Sequence, residues 1–330
     1  MLVEDRQNFL EYSDAFYPYT GKFIEARAMA ERAQAILSKS YGGAHTSTTA
    51  AVFVKAEVLR VSGRCKESAV LIEQTLVSRR RRYGDSHPLV ADCLLSFGIS
   101  MMYTARYQEA DTKFKLALVM RQKYFSEPVA TGKRGMEKVD LRVAEVMYWQ
   151  GVLFHFTGHF EDSIQLLEKT LQAQLTAVEL TETDLDKTFP SVAKTLHRQR
   201  SSSSTKKPIG VGSASINKPV MMLSDSFLAL GKVYQDIGRW DKAETFFNRA
   251  LDIRVGINPG EDLNHYKILE CQLALAQLNR LRGIYKVDVS LVQLLSNDGL
   301  RNSLGRENPL YFACQLELAG YYFLIYMFCF

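Results

Sequence analysis

Apolar residues return at steps of three and four through most of the 330-residue chain, which is the spacing of one buried face on a helix. The stretch FLALGKVYQDIGRWDKAETFFNRALDIR, from Phe227 to Arg254, is the clearest case: two amphipathic segments flank the polar break Gly238-Arg239. Read this way, the chain predicts helix pairs at 3–40, 47–83, 88–124, 138–179, 222–256 and 262–299, then a single helix at 308–326. Only 8 prolines and 20 glycines occur, too few for a turn-rich β-protein.

The breaks inside the pairs share a signature. They read Gly21-Lys22-Phe23-Ile24-Glu25-Ala26, Gly63-Arg64-Cys65-Lys66-Glu67-Ser68 and Ala105-Arg106-Tyr107-Gln108-Glu109-Ala110, followed by copies starting at Gly158, Gly238 and Gly283. The first three stand 42 residues apart, and later intervals of 53, 80 and 45 imply insertions around Ser126 to Lys138 and from Thr181 to Val220. Small residues keep fixed offsets. Seven before the turn stand Ala56, Gly98, Gly151, Gly231 and Ala276; five after it stand Ala26, Ser68, Ala110, Ser163 and Ala243. Helix axes approach closely only where side chains are small, so these offsets mark the crossings within each pair. A fixed period of this size is the mark of a helical repeat array.

The fifth copy resembles the tetratricopeptide repeat through Gly231, Tyr234, Gly238, Ala243, Phe247 and Ala250. The longer period and the connectors Tyr41-Gly42-Gly43-Ala44-His45, Tyr83-Gly84-Asp85-Ser86-His87-Pro88 and Leu304-Gly305-Arg306-Glu307-Asn308-Pro309 are similar to the kinesin-light-chain and nephrocystin type. The resemblance implies an all-α superhelix of antiparallel helix pairs (a TPR-type solenoid) that binds protein rather than catalysing a reaction. It divides the chain into an N-terminal array at 1–180, a basic serine-rich insertion at 181–220 without apolar periodicity, and a C-terminal array at 221–330.

In such an array the first helix of each pair lines the concave wall. Counted from the small residues, the groove-facing positions are Phe53, Glu57, Arg60, Leu95, Ile99, Met102, Tyr148, Val152, His155, Lys232, Gln235, Asp236, Gln277 and Arg280. The middle repeats offer an apolar and aromatic patch and the later ones a polar patch, a combination suited to an extended peptide or a helix.

The net charge of +5 changes this picture little, because residues 192–220 hold six cations and no acid, leaving the remainder near neutral; nucleic acid is not the expected partner. Arg198 and Arg200 ahead of Ser201 and Ser202 make those serines candidate phosphorylation sites. The four arginines 79–82 read as a solvated face in the last turns of a helix, where cations suit its dipole, with an acidic-partner patch as the alternative. Five scattered cysteines without a CxxC pair suit reduced thiols in the cytoplasm, with a cytoskeletal or ciliary association as one variant.

No secretory leader and no membrane span are visible. No phosphate-binding loop occurs, and His155 and His159 lack the glutamate of a zinc motif, so neither cofactor nor metal is expected. His45 and His87 belong to the connectors, where they should bond to helix ends; Cys65 should pack. The final helix ends in Tyr321 to Phe328 with no partner helix, which points to self-association, a partner contact, or a segment of a larger kinesin-light-chain-like or signalling protein.

Overall fold

The computed structural model describes residues 23–125, 139–178, 214–257, 266–284 and 308–329, with side chains from Pro219 in the third stretch and up to Gly320 in the last. Every regular element among them is a helix: α1 (Phe23–Tyr41), α2 (Thr46–Val61), α3 (Cys65–Tyr83), α4 (Pro88–Tyr103), α5 (Tyr107–Phe125), α6 (Leu141–Phe156), α7 (Phe160–Val178), α8 (Ala214–Asp236), α9 (Trp240–Ile257), α10 (Tyr266–Leu281) and α11 (Pro309–Cys329). The chain is therefore all-α, as the apolar spacing implies.

Two differences from the expected boundaries stand out. α8 starts at Ala214 rather than near Met222 and carries Pro219 inside it. α11 runs on to Cys329. The segment expected as a helix at 3–22, the insertion at 179–213 with Ser201 and Ser202, the expected helix at 285–299 and the side chains from Tyr321 onward lie outside the described residues.

The helices form two compact units. The first holds α1–α5 and the start of α11 up to Phe312; the second holds α6–α10 and α11 from Ala313. Within the first unit each helix packs on the next, and α2 also touches α4; within the second the same order holds, with α8 touching both α6 and α10.

One packing device repeats in both units. A Cβ on Gly98 would fall 2.6 Å from the Phe114 ring, on Gly151 2.8 Å from Leu167 and on Gly231 2.4 Å from the Phe247 ring. At these three turns the small residue seven before is thus the hole that receives the large residue nine after. Phe114, Leu167 and Phe247 are fully buried, as are Ala56 and Ile72 at the same offsets in the second repeat. Burying each large side chain contributes about 2–3 kcal/mol.

The turns repeat as well. Gly63 N–H donates to Arg60 O and Arg64 N–H to Leu59 O, and the same two bonds recur after α4, α6, α8 and α10, so each first helix ends by turning its last free carbonyls back on the chain. The motif needs a left-handed residue; Gly63 stands at φ +86°, whereas Ala105 adopts φ +61° with a side chain. The starts of the first helices are capped in kind: His45 and His87 Nδ1 accept from the N–H groups of Ser47 and Leu89 at 3.2 Å, and Asp140 and Asn308 accept from Arg142 and Leu310.

Sixteen residues after the turns that start at Gly63, Ala105, Gly158 and Gly238 stands a buried polar side chain; Arg79, Gln174 and Arg254 tie their pair to the next, and Arg121 ties the two helices of its own pair. Arg79 donates to Leu89 O at 2.8 Å and reaches Cys93 Sγ at 3.3 Å. Arg254 does the same toward Lys267 O and Cys271 Sγ, and adds Ser224, Asp225 and Glu270. Arg121 reaches Asp92 at 2.8 Å, while Gln174 accepts from Ser226 at 2.8 Å. Arg79 is therefore buried, not part of the solvated run expected at 79–82; only Arg80, Arg81 and Arg82 face solvent.

Candidate functional site

In the second unit the first helices α6, α8 and α10 carry the expected groove residues. Tyr148 and Val152 are half-buried against the core that Leu167, Phe227, Leu228 and Phe247 build. Near the ends of their helices His155 Nε2 and Asp236 Oδ2 meet at 2.7 Å, an ion pair that joins α6 to α8 whenever the imidazole is charged. Lys232 and Asp236 are exposed, Gln235 and Gln277 half-buried. Gln235 turns its Oε1 inward, where no donor among the described residues reaches it. Arg280 Nε donates to Glu317 Oε1 at 2.7 Å, and that carboxylate is 5% exposed, so α11 already occupies the guanidinium. Tyr148, Val152, His155, Lys232, Gln235 and Asp236 thus lie on two adjoining helices.

The first unit differs. Phe53 lies under the Arg79 guanidinium at 4.3 Å. Arg60 Nη2 meets Glu57 at 2.7 Å; burial alone would discourage that cation, but the adjacent carboxylate holds it more firmly charged than usual. Leu95, Ile99 and Met102 are 3%, 3% and 1% exposed, so they serve the core instead of a binding surface. Helix α4 is apolar on almost every side and is covered accordingly, which the register of one helix does not reveal.

The thiols are packing groups. Cys65, Cys93, Cys271 and Cys314 are unbridged and buried, and burial pushes Cys93 and Cys314 up to about 12. Among the described residues no three His, Cys, Asp or Glu side chains gather as metal ligands, and no helix is long and apolar enough to cross a membrane.

The sequence reading missed the buried rung, although Arg79, Arg121 and Arg254 share one offset from their turns. It also averaged away the charge: residues 23–125 hold sixteen basic against nine acidic side chains. The surplus therefore does not sit in the 192–220 segment alone.

A helical-repeat class follows from this geometry, and a comparison with known families agrees. Residues 226–261, on α8 and α9, match the Tetratricopeptide repeat family. Several solved structures are similar to this chain. One is a Podosopora anserina protein described as a putative kinesin light chain with nearly identical TPR-like repeats, at 14% identity and TM-score 0.42 over 78% of this chain and 98% of that one. A single-residue variant of that protein gives 17% and 0.43 over 78% and 96%. BtubC (BKLC) from P. vanneervenii gives 19% and 0.45 over 79% and 83%. No curated protein matches the sequence.

Proposed function

We propose that this chain is a non-catalytic interaction scaffold, and that the α6–α8 face of the second unit binds a partner peptide or helix. The observation that carries the reading is the adjacency of an apolar half and a polar half. Tyr148 and Val152 offer half-buried anchors, and Lys232, Asp236 and His155 supply charge beside them. A segment with one or two apolar side chains and flanking polar groups fits such a face, because burying the anchors supplies affinity while the charges fix orientation. Gln235 adds an acceptor that a backbone N–H of the ligand satisfies after a side-chain rotation. The working compartment is the cytoplasm, where the unbridged cysteines stay reduced.

The test is a panning of displayed 16-residue peptides against the full chain, followed by titration of the selected sequence. Tyr148→Ala and Lys232→Glu should each weaken binding by about tenfold or more. Retained affinity in both variants would place the ligand elsewhere and refute this face.

A further inference from the structure

We infer that one edge of the first unit is a second docking surface, built to take an acidic peptide segment in extended form. Lys39, Arg81 and Lys123 stand 42 residues apart, each eighteen after its turn, at the C-terminal ends of α1, α3 and α5. All three are exposed, and no acid among the described residues lies at salt-bridge distance from them. The ladder thus has one cation per repeat, with Arg82 beside the middle rung and Asp85 turned to Arg80 at 3.2 Å. After the turns at Gly158 and Gly238 the same offset holds Thr176 and Gly256, so the run of three does not continue into those two repeats.

Each rung carries an exposed tyrosine as well. Tyr41, Tyr83 and Tyr124 are 48%, 37% and 59% exposed. Tyr41 stacks on His45 at 4.8 Å and Tyr83 on His87 at 4.5 Å, while Tyr124 lies 6.5 Å from His87, so the second and third rungs form one continuous aromatic strip. Both histidines spend Nδ1 on a helix-cap hydrogen bond, which leaves the neutral ring's proton on Nε2. The strip therefore offers donors — phenol, imidazole, ammonium and guanidinium — and a carboxylate-rich chain supplies the matching acceptors.

A peptide fits better than a nucleic acid. Single strands bind basic surfaces by stacking bases on open ring faces, and here one face of Tyr41 and one of Tyr83 is already taken by histidine. One cation per repeat also falls far short of the phosphate density of a nucleic acid backbone. At most four helix-packing steps of about 8–10 Å separate the first rung from the third. A chain of about twelve extended residues spans that distance.

The probe is fluorescein-labelled dodecaglutamate, titrated by anisotropy against the full chain at low and physiological salt. Lys39→Gln/Arg81→Gln/Lys123→Gln should weaken binding at least about tenfold and flatten its salt dependence. The control Arg32→Gln/Lys66→Gln/Lys115→Gln removes the same charge from exposed sites on the same helices and should change affinity less than about threefold. Tyr148→Ala and Lys232→Glu should leave this binding unchanged, which keeps the edge separate from the α6–α8 face. Absent binding, or equal losses in both triple variants, would overturn the proposal. So would tighter binding of a thymidine dodecamer or of phosphatidylserine vesicles, abolished by the same ladder variant.

Discussion

The two units use one repeat plan and spend their polar residues differently. In the second unit charge is internal: Arg254, with no exposed surface, is held by Asp225 and Glu270 while Lys267 meets both acids. In the first unit the buried Arg121 meets the single acid Asp92, but Arg79 meets only a carbonyl, a thiol and a ring, and the unpaired cations stand outside on the edge. The same offset can therefore bear a charged network or a neutral one without altering the helix packing. What varies between repeats is what can carry partner choice.

The largest contrast should appear when the rung is cut. Arg254→Met leaves Asp225 and Glu270 facing Lys267 alone and should cost about 3–5 kcal/mol. Arg79→Met strands only neutral acceptors and should cost about 1–3 kcal/mol. Hydrogen exchange resolved to α8–α9 and to α3–α4 measures each locally; equal losses would erase the distinction between the units.

Acid should separate them next. Burial opposes the charge on Asp225, but Lys267 and Arg254 overcome it and hold the carboxyl below its ordinary value. A carboxyl depressed by folding stabilises fully above its unfolded value and loses that contribution as pH falls through the folded one. Protection in α8–α9 should accordingly decline below about pH 4, and Asp225→Asn should remove that part of the decline. An unchanged acid profile in the variant would contradict the pairing.

Smaller effects lie at the helix ends. His87→Ala should cost about 1 kcal/mol through loss of the cap to Leu89 N–H, and His87→Asp should retain most of it. Ala105→Gly should gain up to about 1 kcal/mol, since Ala105 carries a side chain at φ +61° where other turns use glycine. Thermal melts of the three variants would order them; a neutral His87→Ala would mean the imidazole is not the cap.

Much of this was readable beforehand because it is local. The turn glycines, the small residues seven before them and the histidine connectors each answer to backbone geometry within a few residues. Leu95, Ile99 and Met102 were not, since whether an apolar position faces a groove or a neighbour depends on everything packed around α4. Arg79 looked like part of a surface run of four, and only its shared offset with Arg121 and Arg254 marks it as a rung. The cation ladder was hidden for a related reason: a net charge sums over the chain, whereas recognition depends on register.

That register is most directly tested where a hole meets its knob. The second repeat has buried Ala56 and Ile72 at these offsets, while in the third a Cβ on Gly98 would meet the Phe114 ring. A double-mutant cycle of Gly98→Ala and Phe114→Ile should show the double variant more stable than the two single losses allow, by about 1 kcal/mol or more. Losses that simply add, within about 0.5 kcal/mol, would mean the two positions do not meet and the shared repeat plan is wrong.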